Sequence, residues 1–475
     1  MAGQSLRAAL AVALIAGLAA CGGSGGSSSW ELPNADLAGT RAVSTHIDAA
    51  KLRVRWRFPL RVPATYSGVF ASTPVADERT VYVQDLQSNV YALDRSSGAL
   101  RWRHMERARN EGPNGLALAG GRVYGASDSD AFALSAASGR RLWRRHLTSA
   151  TEQLVDVAPV PWHDLVFLST VGYSPGGRGA IYALDAATGA VRWKFVTIER
   201  PWPHPQQSGG GGLWYPVSVD GDGRLYAGNS NPTPWGGSKR FPNGAAVPGP
   251  VPWTDSLLVL DARTGTLLWH DQVTPHDVRD YDFEATPVLA GGRVFGAGKA
   301  GRVIAWDRGS RTRVWETPVG SQRHDTGPLP GARVDVCPGL LGGVESPMAY
   351  ASGRLFVPVV DLCAKGSATT RQEVTELDVS SGHGRLVALD ADDGHVLWER
   401  RFGSPVFGCA TVADDVVFTS TFDGTALAVA ADVGRTLWRA RLRAGSNACP
   451  AVVGKLVLFG AGVGGTPELV AFGPS

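Results

Sequence analysis

This sequence predicts an all-β fold, an eight-bladed β-propeller closed by pairing its N- and C-terminal strands. Three observations carry the prediction. One phrase recurs: IYALDAATGAVRW, ending at Trp193, is matched by copies ending at Trp102, Trp143, Trp269, Trp315, Trp398 and Trp438. The two ends of the chain hold complementary fragments: LRVRW, ending at Trp56, is a second half, and Leu469–Phe472 is a first half, so joined they make the eighth copy. Finally, a repeat of about 40 to 50 residues built of short strands belongs to stacked propeller blades and not to helical solenoids.

Near the start of the sequence Arg7 precedes an apolar run, Ala8–Ala20, that ends in Leu18-Ala19-Ala20-Cys21. The run is shorter than the ~20 residues of a membrane span. It resembles a bacterial lipoprotein signal over residues 1–21, which implies lipidation of Cys21. The tract GGSGGSSS at 22–29 reads as a flexible tether. These segments predict an exported protein, held to the cell envelope by lipid alone, with the propeller spanning residues 30–475.

Within each copy an apolar strand runs into an Asp-x-x-x-Gly turn and a second strand that ends on Trp. Asp185 can cap the turn backbone, and Gly189 suits the positive φ a tight turn demands. A large flat indole at the end of each blade can fill the gap to the next, so all eight repeat tryptophans are read as structural. Composition agrees: 60 glycines and 30 prolines suit a turn-rich all-β domain, and a net charge of +3 gives no reason to expect nucleic acid.

Four cysteines follow Cys21, an even number in an oxidising compartment. Cys337 and Cys363 flank one strand pair, and Cys409 and Cys449 hold matching places in consecutive repeats. Of the three possible connectivities these two pairings are favoured. No Cys-x-x-Cys-His is present, which argues against covalent haem.

Blade spacing is regular except between Trp193 and Trp269 and between Trp315 and Trp398, where long insertions appear. Extra loops on a rigid scaffold are where function usually sits. The first insertion reads GGGGLWYPVSVDGDGRLYAGNSNPTPW over Gly209–Trp235. The next blade opens with TPHDVRDYDFEATPVL, Thr274–Leu289, and Lys299 follows in GAGKAGRVIAW.

In order and spacing, the Gly-rich run before Trp214, the Gly-x-x-Asn-Pro-x-Pro-Trp loop, the Pro-His-Asp-x-x-Asp element and Lys299 resemble the pyrroloquinoline quinone (PQQ) dependent alcohol dehydrogenases. The run CPGLLGGVESPMAY from Cys337 is similar to that family too, and Cys337–Cys363 falls where its methanol-oxidising branch has a disulfide. The resemblance implies PQQ and a calcium or lanthanide ion as cofactors. It makes Trp214 the aromatic floor beneath the quinone, Asn231 a metal ligand through its amide oxygen, Asp280 a ligand and the general base, and Lys299 a donor to the quinone oxygens. Glu345 stands near a family asparagine that touches the quinone. The set is chemically coherent, since a hard cation takes oxygen ligands and alcohol oxidation needs a proton acceptor. Each residue alone also has an ordinary reading: Trp214 as core between blades, Asn231 and Asp280 as turn residues, Lys299 as a solvated lysine. Lysine is scarce, however, with six in the chain.

Departures from the family pattern are as informative. Its ligand glutamate falls on Ser174, in YSPGGRG, so a hydroxyl replaces a full charge. The adjacent-cysteine pair of the alcohol oxidisers is missing near Ala108-Arg109, and a family tryptophan is Arg279. Asp280-Tyr281-Asp282 matches the pattern of the lanthanide-using branch, so Asp282, with Glu345, is a candidate to restore the lost charge. On alternate positions Asp282 is otherwise expected to share the solvent of Asp280. His276 and Asp277 read as turn-shaping residues, and His324-Asp325 as lining of the mouth.

Two functions follow from these residues. One is an exported PQQ dehydrogenase that oxidises an alcohol or sugar, a larger alcohol being preferred, and passes electrons to an external cytochrome or membrane quinone. The other is a non-catalytic propeller lipoprotein that serves as a protein-binding scaffold in the envelope.

Overall fold

The computed structural model describes residues 29–60, 72–110, 112, 114–148, 153–155, 157–172, 176–198, 209–244 and 251–475. Ser174, Cys21, the predicted signal and residues 22–28 of the tether lie outside them. Among the described residues no helix is long and apolar enough to cross a membrane.

The strands form eight four-stranded antiparallel blades. Blade one is typical: Val75–Ala76, Thr80–Gln84, Val90–Asp94 and Leu100–His104 pair in order from the axis outwards. Its second and third strands are apolar and buried nearly throughout, because both their faces meet neighbouring blades, whereas the outermost strand is largely exposed. Closure of the ring is the expected one. Leu52–Pro59 is the outermost strand of blade eight and pairs with Glu468–Pro474.

A bulge precedes every repeat tryptophan. Leu100 and Trp102 face Leu93 and Ala92, and the same one-residue shift precedes Trp143, Trp193, Trp269, Trp315, Trp398, Trp438 and Trp56. The indoles then reach across to the turn of the following blade. Trp143 donates its ring N–H to the carbonyl of Ala186, and Trp56, Trp102, Trp193, Trp315 and Trp398 make the matching bond one blade on. The turn glycine lies flat beneath the ring: a Cβ on Gly189 would stand 2.5 Å from Trp143. Its φ of 69° and this missing Cβ are both required. Blade five departs from the pattern, with Arg311 in the glycine position at φ 63°.

One feature had no counterpart in the sequence reading. Residues 30–43 run around one end of the axis and bond to the innermost strands of six blades. Trp30 exchanges backbone bonds with Ala76, and the carbonyls of Glu31, Leu37, Ala38, Thr40 and Arg41 accept from Leu118, Val219, Leu289, Tyr350 and Val412. Ala42–Val43 adds a parallel strand to blade seven. This strap covers the end of the ring where each blade makes its first hairpin. The opposite end, where one blade hands over to the next, stays available for a site.

The cysteines are joined 337–363 and 409–449.

Candidate functional site

Four segments meet at that opposite end. The first is the glycine run before Trp214, where Gly210, Gly211 and Gly212 all have positive φ. A Cβ on Gly212 would lie 2.2 Å from the Thr170 carbonyl and one on Gly210 2.4 Å from that of Asn231, so only glycine brings this run so close. Gly209–Gly210 pairs with Pro232–Thr233, which ties the start of the glycine run to the segment that follows Asn231.

The second segment is the connection into blade five. Asp277 accepts from the backbone N–H groups of Arg279 (2.7 Å) and Tyr281 (2.8 Å), wrapping the turn around its own carboxylate. Asp280, held between them, adopts a left-handed φ of 68°. Arg279 fastens the turn from outside, donating to the carbonyls of His324, Thr326 and Gly327, while the Tyr281 hydroxyl donates to that of Pro338. Arg279 and Tyr281 line a cleft of about 830 Å³ on that outer side, with Ala300, Arg302, Asp325 and Pro328. Asp280 and Asp282 instead make their bonds to Asn231 and Lys299.

Lys299, in the second hairpin of blade five, and Glu345, ahead of blade six, complete the group. The Lys299 ammonium donates to Asp280 (3.1 Å) and Asp282 (2.6 Å). The Asn231 side-chain amide donates to Asp280 (2.6 Å), and its backbone N–H to Asp282 (2.8 Å). Trp214 joins through its neighbour, since the Tyr215 hydroxyl donates to the Glu345 carbonyl (2.7 Å). Residues 231, 280, 282, 299 and 345 are thus brought together, with Trp214 one residue from a direct contact. Ser174 is outside the described residues.

Three findings modify the expectations. Asp282 does not share solvent with Asp280: it is 1% exposed, whereas Asp280 is only half-buried. Asn231 turns its amide nitrogen towards Asp280, and Lys299 is the counter-ion of both aspartates. His324 is exposed and bonded to the Asp335 carbonyl, while Asp325 pairs with Arg302 at the cleft.

Two acidic residues escaped the sequence reading. Glu284 continues the alternation of 280 and 282, a signal that was legible, and is buried. Asp255, which precedes a blade-four strand without any motif, is fully buried. With Asp277 and Glu345 this gathers six carboxyls around one lysine. Burial pushes Asp255 and Glu284 well above their ordinary values, Asp277 to about 6 and Glu345 to about 8, and it raises Asp280 against the pull of Lys299. For Lys299 burial opposes the charge, but the surrounding carboxyls outweigh it and hold the amine well above the usual range.

In donor chemistry the set suits a hard cation, but among the described residues only Asp390, Asp393 and His395 bring three carboxylate or imidazole ligand atoms within 4.8 Å of one another. Among the described residues, both oxygens of Asp255 and one each of Glu284 and Glu345 are buried without a hydrogen-bond partner. Unpaired buried acceptors in a cluster of one sign are satisfied by a metal ion with oxygen preference. A polyanionic quinone fits only together with that ion, because the carboxyls alone would repel it.

Comparison with known proteins bears on what such a site is for. The family model for the β-propeller domain of PQQ glucose/ethanol/alcohol dehydrogenases matches residues 42–300, and one described as outer membrane protein assembly factor BamB matches residues 333–473. Quinohemoprotein alcohol dehydrogenase ADH IIB of Pseudomonas putida is 32% identical over 45% of this chain and 35% of its own length. The quinohemoprotein alcohol dehydrogenase of Comamonas testosteroni is 27% identical over 83% of this chain and 66% of its own. The chain therefore spans less than two thirds of either relative. Among solved structures, a europium-containing methanol dehydrogenase superposes with a TM-score of 0.78 at 21% identity, covering 94% of this chain and 98% of its own, a likeness of fold.

Proposed function

This chain belongs to the family of PQQ glucose/ethanol/alcohol dehydrogenase β-propellers, and on that premise we propose that it is an exported dehydrogenase that oxidises an alcohol or sugar. The observation that carries this reading is the convergence of Asn231, Asp280, Asp282 and Lys299 in one hydrogen-bonded group, ringed by further buried carboxyls. PQQ with a calcium or lanthanide ion would supply the two-electron acceptor for the substrate hydride.

The protein's own residues bind and move the proton. Asp280, the half-buried carboxylate of the central group, is the general base for the substrate hydroxyl. Asn231 and Lys299 orient its two oxygens, and the ammonium opposes the rise in its pKa that burial brings. Asp280, Asp282 and Asn231 would hold the cation, and Trp214 would offer an aromatic face to the quinone. Electrons would leave to an external cytochrome or membrane quinone. Cys21 is the site of a lipid anchor that holds the exported protein to the cell envelope, on a periplasmic or extracytoplasmic face.

The test is reconstitution of the purified protein with PQQ and calcium or lanthanum, followed by dye reduction with a panel of alcohols and sugars. Turnover is expected for the parent and a fall of about 10²–10⁴-fold for Asp280→Ala. Failure to bind the quinone with either metal would sink the proposal. It would leave the envelope scaffold, a reading supported by the match of residues 333–473 to the assembly-factor model.

A further inference from the structure

Charge is spread unevenly around the perimeter of the ring. The outermost strands of five consecutive blades are Thr436–Arg441 of blade seven, Leu52–Pro59 of blade eight, Leu100–His104 of blade one, Arg141–His146 of blade two and Val191–Val196 of blade three. Each carries two or three arginines or lysines and no acidic residue. The outermost strands of blades four, five and six each contain an acidic residue, Asp271, Glu316 and Glu399 in turn. We propose that the basic arc is a docking face for an anionic phospholipid surface, with blade one turned towards the lipid.

An arginine already paired with a carboxylate adds little to such an attraction, so the unpaired cations decide. Among the described residues Arg53, Arg55, Arg103, Arg145, Lys194 and Arg439 have no carboxylate partner, and every blade of the arc supplies at least one of them. All but Arg145 are exposed. Arg53, Arg55 and Arg145 donate to backbone carbonyls, and Lys194 lies 5.2 Å from the centre of the Tyr182 ring. The other cations of the arc are paired, as Arg57 is with Glu468 (2.6 Å) and Arg192 with Asp185 (2.7 Å).

The place where the chain enters the ring points to lipid as the partner. Trp30, the first residue of the strap, bonds to Ala76 in the innermost strand of blade one, the middle blade of the arc. Four strands spaced 4.7–4.9 Å apart put the outermost strand of that blade about 15 Å away. The tract GGSGGSSS at 22–29 spans at most about 28 Å when extended. A lipid on Cys21 can therefore lie beside the outer strand of blade one, whereas blade five stands across the axis. Headgroup phosphates attract free surface cations within a Debye length, about 10 Å at 0.1 M salt. The orientation rests on the reading of Cys21 as a lipid anchor; the attraction of the arc does not.

The test separates the two. The chain from Gly22 onwards, which holds every described contact of the ring, is sedimented with vesicles of phosphatidylcholine alone or of an equal mixture with phosphatidylglycerol. Binding is expected to the mixed vesicles only, and should fall as salt is raised. Combined Arg53→Gln, Arg55→Gln and Arg103→Gln should weaken it about fivefold for each cation lost, at an unchanged urea midpoint. The same charge loss outside the arc, by Arg323→Gln, Arg400→Gln and Arg401→Gln, should leave binding close to that of the parent. No binding to the mixed vesicles at low salt, or equal loss in both triple variants, would overturn the docking face. Retention on soluble polyphosphate without vesicle binding would assign the arc to a soluble polyanion and overturn it too. The anchor is read separately, by mass spectrometry of the mature protein from cells: an unacylated Cys21 would remove the orientation towards blade one, while the vesicle result still decides the face.

Discussion

Asp280 owes its position to a residue that need not touch substrate. The carboxylate of Asp277 accepts two backbone N–H groups on either side of it and so stabilises a left-handed φ that a non-glycine residue seldom adopts. Asp277→Ala is expected to release that turn and displace Asp280, the proposed base. A displacement of about 1 Å is enough to cost on the order of 10²-fold in kcat, and Asp277→Asn, which keeps one acceptor, should lose less. Steady-state kinetics on the reconstituted protein, with binding of PQQ measured separately, checks this. An unchanged kcat in Asp277→Ala would mean that Arg279 and its three carbonyl partners hold the turn by themselves.

The blade is the next scale up, and its turn does two jobs with one glycine. Gly189 must adopt φ 69° and must leave room for the Trp143 ring, so a methyl group there meets both strain and a 2.5 Å contact. Gly189→Ala should destabilise the fold by about 1–3 kcal/mol, read as a lower urea midpoint at an unchanged slope. The turn aspartates predict a pH dependence. Hydroxyl and amide donors at Ser96, Thr188 and Ser310 hold Asp94, Asp185 and Asp307 below the ordinary carboxylate value; at Asp261 burial is the largest single influence and opposes this, but the donors of Thr264 and Arg263 together outweigh it. A depressed folded-state pKa contributes stability above the unfolded value of 3.8 and loses it as pH falls towards the folded one. The urea midpoint should therefore drop steadily below about pH 4, and less steeply when Asp185 is replaced by Asn.

Over the whole molecule, the ring is closed twice: on its perimeter by the strand pairing of Leu52–Pro59, and at one end of the axis by the strap of residues 30–43. Arg41 is the fastening of the strap. Its guanidinium is fully buried, has no acidic hydrogen-bond partner among the described residues, and donates to the carbonyls of Pro33, Ala410 and Pro450 and to Asn34 and Thr411. Its bonds therefore tie blades seven and eight to the strap. Arg41→Met would strand those acceptors, each at about 1–3 kcal/mol. Thermal unfolding should fall by several degrees, with faster amide exchange at Val219, Leu289 and Tyr350, which bond to the strap. Exchange unaltered at those positions would mean that the strap stays seated without its arginine.

The sequence by itself determined the number of blades, the closure of the ring and the tryptophan contacts, because each depends on a local pattern repeated eight times. Its resemblance to the PQQ family also marked Asn231, Asp280, Asp282 and Lys299, because that resemblance is carried by short motifs along two neighbouring blades. Tertiary structure decided what comes from distant segments. Trp30–Val43 has no strand pattern of its own and acquires its path only from the exposed ends of inner strands far along the chain. Asp255 sits in no motif, and Glu345 comes within electrostatic reach of Glu284 only once blades five and six pack side by side. Burial and charge are properties of a closed volume, so which of the described carboxyls lie buried without a hydrogen-bond partner becomes defined only when the ring is complete.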